Sequence, residues 1–417
     1  MSIIIKMMSL LYQITIYGYL LIIRIASLFN NKAKLWIKGR KNIFNNIKNA
    51  IDSDSKIAWF HAASLGEFEQ GRPVIEAFRK KFPGHKIILT FFSPSGYEIR
   101  KNYDGADYVF YLPPDTKRNA VRFIETVNPE IAVFIKYEFW FNYLKVLHKK
   151  NIPTIVISAI FRKEQHFFKW YGGWFRKMLK NISRFYVQNE ESKMLLNSID
   201  IDNVTVSGDT RFDRVMAIAE STKSFPAVEN FTANKKVFLG GSTWPQDEEL
   251  IHKLAVESDD NVKFIIAPHE IHKERIKSIE ELFTGFKTVK YSEATDRNVT
   301  EAKVLIVDGM GFLSGLYQYC HIAYIGGGFG KGIHNILEAA TYGKPVIFGP
   351  RYEKFREARD LVKLKGAFSV SNAIKLHEIT EKLLSDNQYY NVTSEVCRNY
   401  VEDKTGATLM IIEGLQV

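Results

Sequence analysis

The chain has 417 residues, of which 46% are apolar and 25% charged, so its composition excludes a disordered protein and its length predicts two or three domains. Its formal net charge of +11 suits an anionic partner. Because no arginine-rich tract or nucleic-acid-binding motif occurs, we expect a membrane surface or a phosphorylated substrate, and no nucleic acid. The two cysteines lack a CxxC partner, which argues against a disulfide framework or structural zinc.

The first feature along the chain is an uncharged segment, residues 7–23, which is closed by Arg24. A group of basic residues follows it: Lys32, Lys34, Lys38, Arg40 and Lys41. This pattern predicts a membrane-anchoring helix within residues 1–30, with the main body on the cytoplasmic side. The segment either spans the bilayer or lies in its interface. The remaining alternative is a buried N-terminal helix, and we do not expect a removable signal peptide.

Strands and helices alternate through the next part of the chain. Strands are predicted at 56–61, 86–92, 107–111, 131–135, 154–158 and 184–188. Helices are predicted at 72–81, 93–102, 115–127, 138–149 and 190–197. This alternation indicates a doubly wound parallel sheet, which we assign to a domain at 31–216.

A polar and less periodic stretch at 217–234 predicts a linker. A second alternating series then forms a domain at 235–387. Its strands are predicted at 237–239, 263–267, 286–290, 303–307, 322–325, 346–348 and 367–370. The last segment, 388–417, is expected to be a helix that packs back on the first domain.

The strand at 322–325 runs into a glycine loop that contains Gly326, Gly327, Gly328 and Gly330. Asn335 is predicted to cap a helix that ends at Gly343, and such a helix start favours a phosphate. The dinucleotide fingerprint fails, because Lys331 stands where its third glycine should be. The P-loop fails as well, because Pro345 follows Gly343 and Lys344.

Glu338, one turn into that helix, has a carboxylate that can accept both hydroxyls of a ribose. The loop, the helix start and this carboxylate together resemble the nucleotide-sugar site of GT-B glycosyltransferases. That resemblance implies two doubly wound Rossmann-like domains facing a cleft. A glycine-rich turn in an ordinary α/β domain remains the alternative.

Further loops stand where the predicted parallel strands end, which is the edge where open sheets bind ligands. The segments are HAASLGE (61–67), SPSG (93–96), YEFW (137–140), GDTRFD (208–213), GGST (240–243), Pro268-His269, DGMG (308–311) and GGGFGKGIHNILEAA (326–340). In their order and spacing they resemble the 3-deoxy-D-manno-octulosonic acid (Kdo) transferases of lipopolysaccharide synthesis. The resemblance runs from about residue 10 to the end of the chain.

The resemblance implies an inverting transfer of Kdo from CMP-Kdo to a lipid A precursor, lipid IVA, at the cytoplasmic face of the inner membrane. It implies no cofactor and no metal. It places the general base on Glu67 and transition-state support on Glu138 and Arg211. The CMP contacts that it implies are Pro268, His269, Gly309, Met310, Gly311, Asn335, Ile336, Leu337 and Glu338.

The residues by themselves leave other interpretations open. Glu67 could instead complement the dipole of a helix. Glu138 could simply lie in the first turn of a helix, and Arg211 could form a surface ion pair. The chain departs from the family pattern at His269, at Lys136 and at Trp244, the residue that follows GGST. The alternative functions are a GT-B transferase or epimerase of UDP-sugars, and a non-enzymatic membrane-tethered nucleotide-binding module.

Overall fold

The computed structural model describes residues 3–52, 55–221, 223–233 and 235–415. The segments predicted at 1–30, 31–216, 217–234 and 388–417 therefore each include positions outside the described residues. The chain divides into two compact units, of which the first comprises the chain up to Arg214 together with the part from Thr405 onward. The second unit is Val215–Lys404. Each unit contains a seven-stranded sheet, so the predicted α/β class is confirmed.

The sheet of the first unit is entirely parallel. Its strands are β1 (Lys56–Ala62), β2 (His85–Phe91), β3 (Tyr108–Tyr111), β4 (Ile131–Ile135), β5 (Thr154–Ala159), β6 (Arg184–Val187) and β7 (Val204–Val206). They are ordered β3-β2-β1-β4-β5-β6-β7. The strand order reverses between β1 and β4, and open sheets bind ligands at such a point. The short β7 was absent from the predicted strands, because three residues carry too little periodicity.

Helices cover both faces of this sheet. They are α1 (Ile3–Ala26), α2 (Asn31–Lys38), α3 (Ile43–Ala50), α4 (Leu65–Lys81), α5 (Pro94–Arg100), α6 (Lys117–Val127), α7 (Phe141–Lys149), α8 (Gly173–Leu179), α9 (Glu190–Asn197) and the first part of α10 (Thr210–Glu220). Successive residues of β1 enter different cores, with Trp59 in one apolar cluster and Phe60 in another. Both side chains are fully buried, as expected of a strand covered on two faces.

Two helices begin at other residues than predicted. Helix α4 starts at Leu65 and not at 72, because Ser64 has extended backbone at the N-cap and its carbonyl accepts the first helical hydrogen bond, from Phe68. Pro73, which is typical of a first helical turn, lies inside the helix. Helix α7 starts at Phe141 and not at 138, so residues 136–140 form a loop at the end of β4.

The sheet of the second unit is also parallel. Its strands are β8 (Lys236–Thr243), β9 (Val262–Pro268), β10 (Thr288–Lys290), β11 (Val304–Ile306), β12 (Ile322–Ile325), β13 (Val346–Phe348) and β14 (Ala367–Ser369). They are ordered β10-β11-β9-β8-β12-β13-β14. The predicted loop at 240–243 is in fact the end of β8. A Cβ atom on Gly241 would lie 2.1 Å from the Tyr317 hydroxyl oxygen, so the glycine serves close packing and not a turn.

The remaining helices are α11 (Pro226–Thr232), α12 (Pro245–Glu257), α13 (Lys273–Leu282), α14 (Asp296–Glu301), α15 (Leu313–Leu316), α16 (Leu337–Ala340), α17 (Arg356–Leu364), α18 (Ala373–Ser385), α19 (Asn387–Glu402) and α20 (Ala407–Glu413). The predicted linker at 217–234 thus contains the end of α10 and all of α11. The single helix predicted at 388–417 is divided into α19 and α20 at Gly406, whose φ is +100°.

Helix α20 belongs to the first unit and packs on α4, whereas α19 belongs to the second. Asp213 in α10 fixes the start of α20. Its carboxylate accepts hydrogen bonds from the backbone N–H groups of Gly406 and Thr408, each at 2.6 Å.

Helix α1 is long and apolar enough, by length and composition, to cross a membrane between Met7 and Ala26. None of the apolar window is buried, so the alternative of a buried helix is wrong for the described residues. The Tyr12 hydroxyl donates to Asp115 Oδ2 at 2.6 Å, and the Gln13 amide donates to Asn142 at 2.9 Å. The exposed apolar side chains of α1 are Met7, Leu10, Leu11, Ile14, Tyr17, Tyr19, Leu21, Ile22 and Ile25.

Candidate active site

Glu67 follows β1 and lies in the first turn of α4, where unpaired backbone N–H groups favour a carboxylate. The Ser64 hydroxyl donates a hydrogen bond to its Oε2. The Glu67 side chain is partly exposed, so it is accessible to a substrate. The carboxylate is therefore held in one orientation at the ligand-binding edge of the first sheet.

Two cations accompany Glu67 in the first unit. Lys136 follows β4 with a φ of +70°, a left-handed conformation that is costly for a lysine. Arg211 follows β7, and its guanidinium contacts Asp209 Oδ2 at 2.8 Å and 2.9 Å. Burial lowers the pKa of the Lys136 ammonium; Glu67 opposes that effect and the Arg211 charge adds to it. Lys136 thus lies within electrostatic range of both predicted residues.

Glu138 lies in the loop between β4 and α7 and not in the first helical turn. Its Oε2 accepts a hydrogen bond from Trp140 Nε1 at 2.8 Å and lies 3.4 Å from His61 Nε2. Since β1 and β4 are neighbours, His61 and Glu138 come from the two sides of the point where the strand order reverses. Lys136 therefore links the two predicted residues only through its own charge, whereas Glu138 is paired directly with His61.

The residues predicted to contact CMP lie at the carboxyl edge of the second sheet. Pro268 ends β9, the loop 309–311 follows β11, and residues 335–338 follow β12. The backbone N–H of His269 donates to Thr243 O at 3.0 Å, which joins the ends of β9 and β8. All three segments therefore follow strands that occupy one stretch of the sheet, β11-β9-β8-β12.

The predicted cap at Asn335 needs a correction. The helix it precedes, α16, starts at Leu337 and has four residues, with Ile336 at the N-cap position. The Asn335 side chain accepts from the Leu337 N–H at 3.2 Å and donates to Glu338 Oε1 at 3.1 Å. A single helical turn has a weak dipole, so α16 supplies little positive potential. The side chains of Ile336 and Leu337 are buried, which leaves only their backbone for a ligand.

Asp247 in α12 organises the glycine loop. Its buried carboxylate accepts hydrogen bonds from the Tyr324 hydroxyl at 2.8 Å, the Gly327 N–H at 2.9 Å and the Trp244 N–H at 3.0 Å. Gly327 has a φ of +91°, and a Cβ atom on Gly326 would lie 2.2 Å from Ser242 O. The loop conformation therefore requires glycine at both positions and is fixed by one carboxylate.

Three rings form a stack beside that loop. The ring centroids of Trp244 and His269 are 4.9 Å apart, and those of His269 and His334 are 4.3 Å apart. Trp244 Nε1 also donates to His334 Nε2 at 3.2 Å. The stack joins the loops that follow β8, β9 and β12. Two of its rings, Trp244 and His269, stand at the positions where the sequence departs from the family pattern.

The described residues contain no cluster of three or more histidine, cysteine, aspartate or glutamate side chains that could hold a metal ion. The carboxylates of Glu67, Glu138 and Asp247 each accept hydrogen bonds from donors of the protein instead.

Comparison with known proteins shows what the chain is similar to. Residues 38–214 match the family described as 3-Deoxy-D-manno-octulosonic-acid transferase (kdotransferase). A 3-deoxy-D-manno-octulosonic acid transferase of Rickettsia bellii is 28% identical over 354 residues, which cover 83% of this chain and 82% of that protein. The enzyme of the same name from Aquifex aeolicus is 27% identical over 81% of this chain and 89% of its own. The chain is a homologue of the Kdo transferases. Its relatives indicate a glycosyltransferase.

Solved structures support the same fold. UDP-GlcNAc 2-epimerase from Neisseria meningitidis, bound to UDP-GlcNAc, superposes with a TM-score of 0.60 at 19% identity. The alignment covers 86% of this chain and 98% of the epimerase. A glycosyltransferase from Rickettsia africae gives a TM-score of 0.55 at 15% identity, over 86% of this chain and 97% of its own. These likenesses establish a GT-B-like fold for this Kdo transferase homologue.

Several residues of the homologue's site carry little or no sequence signal. Trp140 and Asp247 act through hydrogen bonds to distant parts of the chain, which no local pattern predicts. His61 reads as a lone histidine at the end of a strand. In the sequence, Lys136 stands out only as a departure from the family pattern. An electrostatic reading of the strand ends could have found it, because it is the first charged residue after β4.

The His334 ring makes the stability of the second unit sensitive to acid. Burial, with His269 as a lesser cause, lowers the pKa of His334 from 6.5 to about 4. The unfolded chain therefore binds this proton at higher pH than the folded chain. The contribution of the neutral His334 ring to folding stability is fully present above pH 6.5 and is lost as the pH falls towards 4. We expect the thermal unfolding midpoint to fall less between pH 7 and pH 5 in His334→Gln than in the unmodified protein.

The control for this experiment is the same change at His148, an exposed residue of α7 in the first unit. His148→Gln should leave the acid-side slope unchanged. Equal slopes for His334→Gln and the unmodified protein would contradict the assignment.

Proposed function

We propose that this chain transfers Kdo from CMP-Kdo to lipid IVA, a lipid A precursor, with inversion at the anomeric carbon. The observation that carries the proposal is that the family match at 38–214 contains Glu67, and that Lys136 lies within electrostatic range both of that carboxylate and of Arg211. A base and a cationic group at one strand edge suit a transfer that releases an anionic leaving group.

In the proposed reaction Glu67 is the general base. Its carboxylate takes the proton of the acceptor hydroxyl while the hydroxyl oxygen forms a bond to the anomeric carbon of Kdo. The bond from that carbon to the phosphate oxygen breaks, and its electron pair leaves with CMP. Inversion needs one base and no covalent intermediate. Arg211 and Glu138 support the transition state, the arginine by its charge and the glutamate by organising the site.

We assign the donor to the second unit. Glu338 would accept the ribose hydroxyls of CMP, and the segments at 268–269, 309–311 and 335–338 would hold the rest of the nucleotide. Since α16 has a single turn, the phosphate would depend on Lys331 and on the backbone N–H groups of the glycine loop. No cofactor or metal enters the proposed reaction.

The test of the proposed function is a transfer assay with the full chain, CMP-Kdo generated in situ, and lipid IVA in detergent. We expect release of CMP together with a lipid product whose mass has increased by Kdo. A parallel reaction with UDP-GlcNAc should release no UDP. Activity with UDP-GlcNAc alone would leave the fold in place and overturn the proposed donor.

We also propose that the protein binds the cytoplasmic face of the inner membrane through α1 and the basic residues after it. The apolar side chains of α1 are exposed along one side. Lys32, Lys34, Lys38 and Lys41 are exposed as well. Arg40 is excluded from this surface, because its guanidinium donates to Leu112 O at 2.8 Å and to Phe92 O at 2.7 Å.

Changing the four exposed lysines to glutamine should weaken binding to vesicles that contain anionic lipid. At about 1 kcal/mol for each lysine near the surface, we expect a loss of more than about 100-fold at low salt, with a smaller salt dependence. Vesicle sedimentation measures it. The matched control removes the same charge from the second unit by changing Lys253, Lys273, Lys277 and Lys287, all exposed. Equal losses in both variants would refute a local membrane surface.

A further inference from the structure

His61 is fully buried at the end of β1, and one side of its ring is fixed by the neighbouring strand. Its Nδ1 lies 3.0 Å from Thr90 O and 2.8 Å from Thr90 Oγ1. A carbonyl oxygen only accepts hydrogen bonds, so Nδ1 carries the hydrogen and donates it. Thr90 is held in turn by Trp59 Nε1, which donates to Oγ1 at 2.8 Å. The orientation and the tautomer of His61 are therefore set from inside the core.

The other side of the ring faces the candidate active site. His61 Nε2 lies 3.1 Å from Trp140 Nε1 and 3.4 Å from Glu138 Oε2. In the neutral ring Nε2 holds a lone pair, which accepts the indole N–H. The same N–H also reaches Glu138 Oε2, at 2.8 Å. One indole hydrogen is thus shared between the histidine and the carboxylate.

The shared hydrogen bond fixes the position of one carboxylate oxygen of Glu138. Within the described part of the chain, the Glu138 side chain contacts both Trp140 and His61 through Oε2. The side chain is 12% exposed, so the carboxylate is accessible over only a small part of its surface. With Oε2 engaged, Oε1 is the oxygen that can accept a hydrogen bond from a substrate hydroxyl.

We propose that His61 is a positioning residue for Glu138: with Trp140 it holds Oε2 and directs Oε1 towards the substrate. This inference rests on the proposed function in one respect: it assumes that Glu138 takes part in sugar transfer. The ring acts through its Nε2 side, whereas its Nδ1 side anchors it to β2. The two sides can be separated by substitution.

Asparagine and glutamine at position 61 each keep a hydrogen-bonding group at the place of one ring nitrogen of His61. The amide of asparagine falls near Nδ1 and can still donate to Thr90 O, while nothing remains beside Trp140. The amide of glutamine falls near Nε2 and can accept from Trp140 and donate to Glu138. We expect His61→Asn to lower kcat about 100-fold with the KM values within about threefold of the unmodified enzyme, the effect of a small misplacement. His61→Gln should stay within about fivefold.

A second readout needs no substrate. The indole N–H resonance of Trp140, identified by its loss in Trp140→Phe, should move in His61→Asn and stay near its place in His61→Gln. Trp140→Phe removes the shared hydrogen while leaving His61 intact, so its kcat should fall about as far as that of His61→Asn. If His61→Asn does not fold, Trp140→Phe tests the same shared hydrogen bond.

The outcomes are distinct. Loss in His61→Asn with retention in His61→Gln supports the positioning role. The reverse order would show that His61 acts through Thr90 and would overturn it, as would full activity in both variants or an unmoved indole resonance. If the unmodified enzyme transfers another sugar instead of Kdo, the proposed function fails, while the same comparison with that sugar still tests His61.

Discussion

Replacing Glu67 by glutamine is expected to slow turnover strongly while leaving donor binding intact. Glutamine keeps the shape of the side chain but has no carboxylate to take the acceptor proton, so we expect kcat to fall by about 10³-fold. The Ser64 hydroxyl can still donate to the amide oxygen, so the start of α4 should persist. The measurement is CMP release with CMP-Kdo and lipid IVA, together with CMP affinity by calorimetry, which should change by less than about twofold.

The control is Glu69→Gln, two residues further along α4. Glu69 contacts Arg100 at 2.7 Å and Arg214 at 3.8 Å, so it faces other partners than Glu67 does. We expect its kcat to stay within about threefold, because partly exposed ion pairs contribute little. Full turnover in Glu67→Gln would contradict the assignment of Glu67 as the general base. A chain that binds CMP without any transfer, before and after the change, would favour the non-enzymatic module.

Asp247→Ala is expected to have the largest effect on stability. It leaves three donors without their acceptor: the buried Tyr324 hydroxyl and Gly327 N–H, and the partly buried Trp244 N–H. Leaving such donors unpaired should lower the free energy of unfolding of the second unit by about 3 kcal/mol. For a unit of this size that corresponds to a midpoint about 6 to 12 °C lower. CMP affinity should fall as well, because the glycine loop loses its support.

Glu249→Ala serves as the matched control, since Glu249 is exposed on the same helix. Its midpoint should change by less than about 2 °C, because surface substitutions usually alter the free energy of unfolding by at most about 0.5 kcal/mol. A small effect of Asp247→Ala, similar to that of the control, would mean that other contacts hold the glycine loop.

Local sequence predicted the elements better than their ends. Apolar runs such as Ile131–Ile135 form buried strands because both faces of a parallel sheet are covered. The predicted start of α4 at 72 is wrong, because the Ser64 cap lies eight residues closer to β1. The end of β8 was mistaken for a loop because Gly240 and Gly241 usually mark turns. Here they allow tight packing against Ile251 and Tyr317.

The sequence by itself determined that the chain is a parallel α/β protein with two sheets, an apolar start, and polar groups at the strand ends. Hydrophobic periodicity and glycine spacing are local features, so they can be recognised in one amino-acid sequence without a structure. Only the tertiary structure decided which strand ends are neighbours. It joined His61 to Trp140 across 79 positions and Asp247 to Gly327 across 80. Such pairs depend on strand order, which is set by the packing of the whole unit and not by any short stretch of residues.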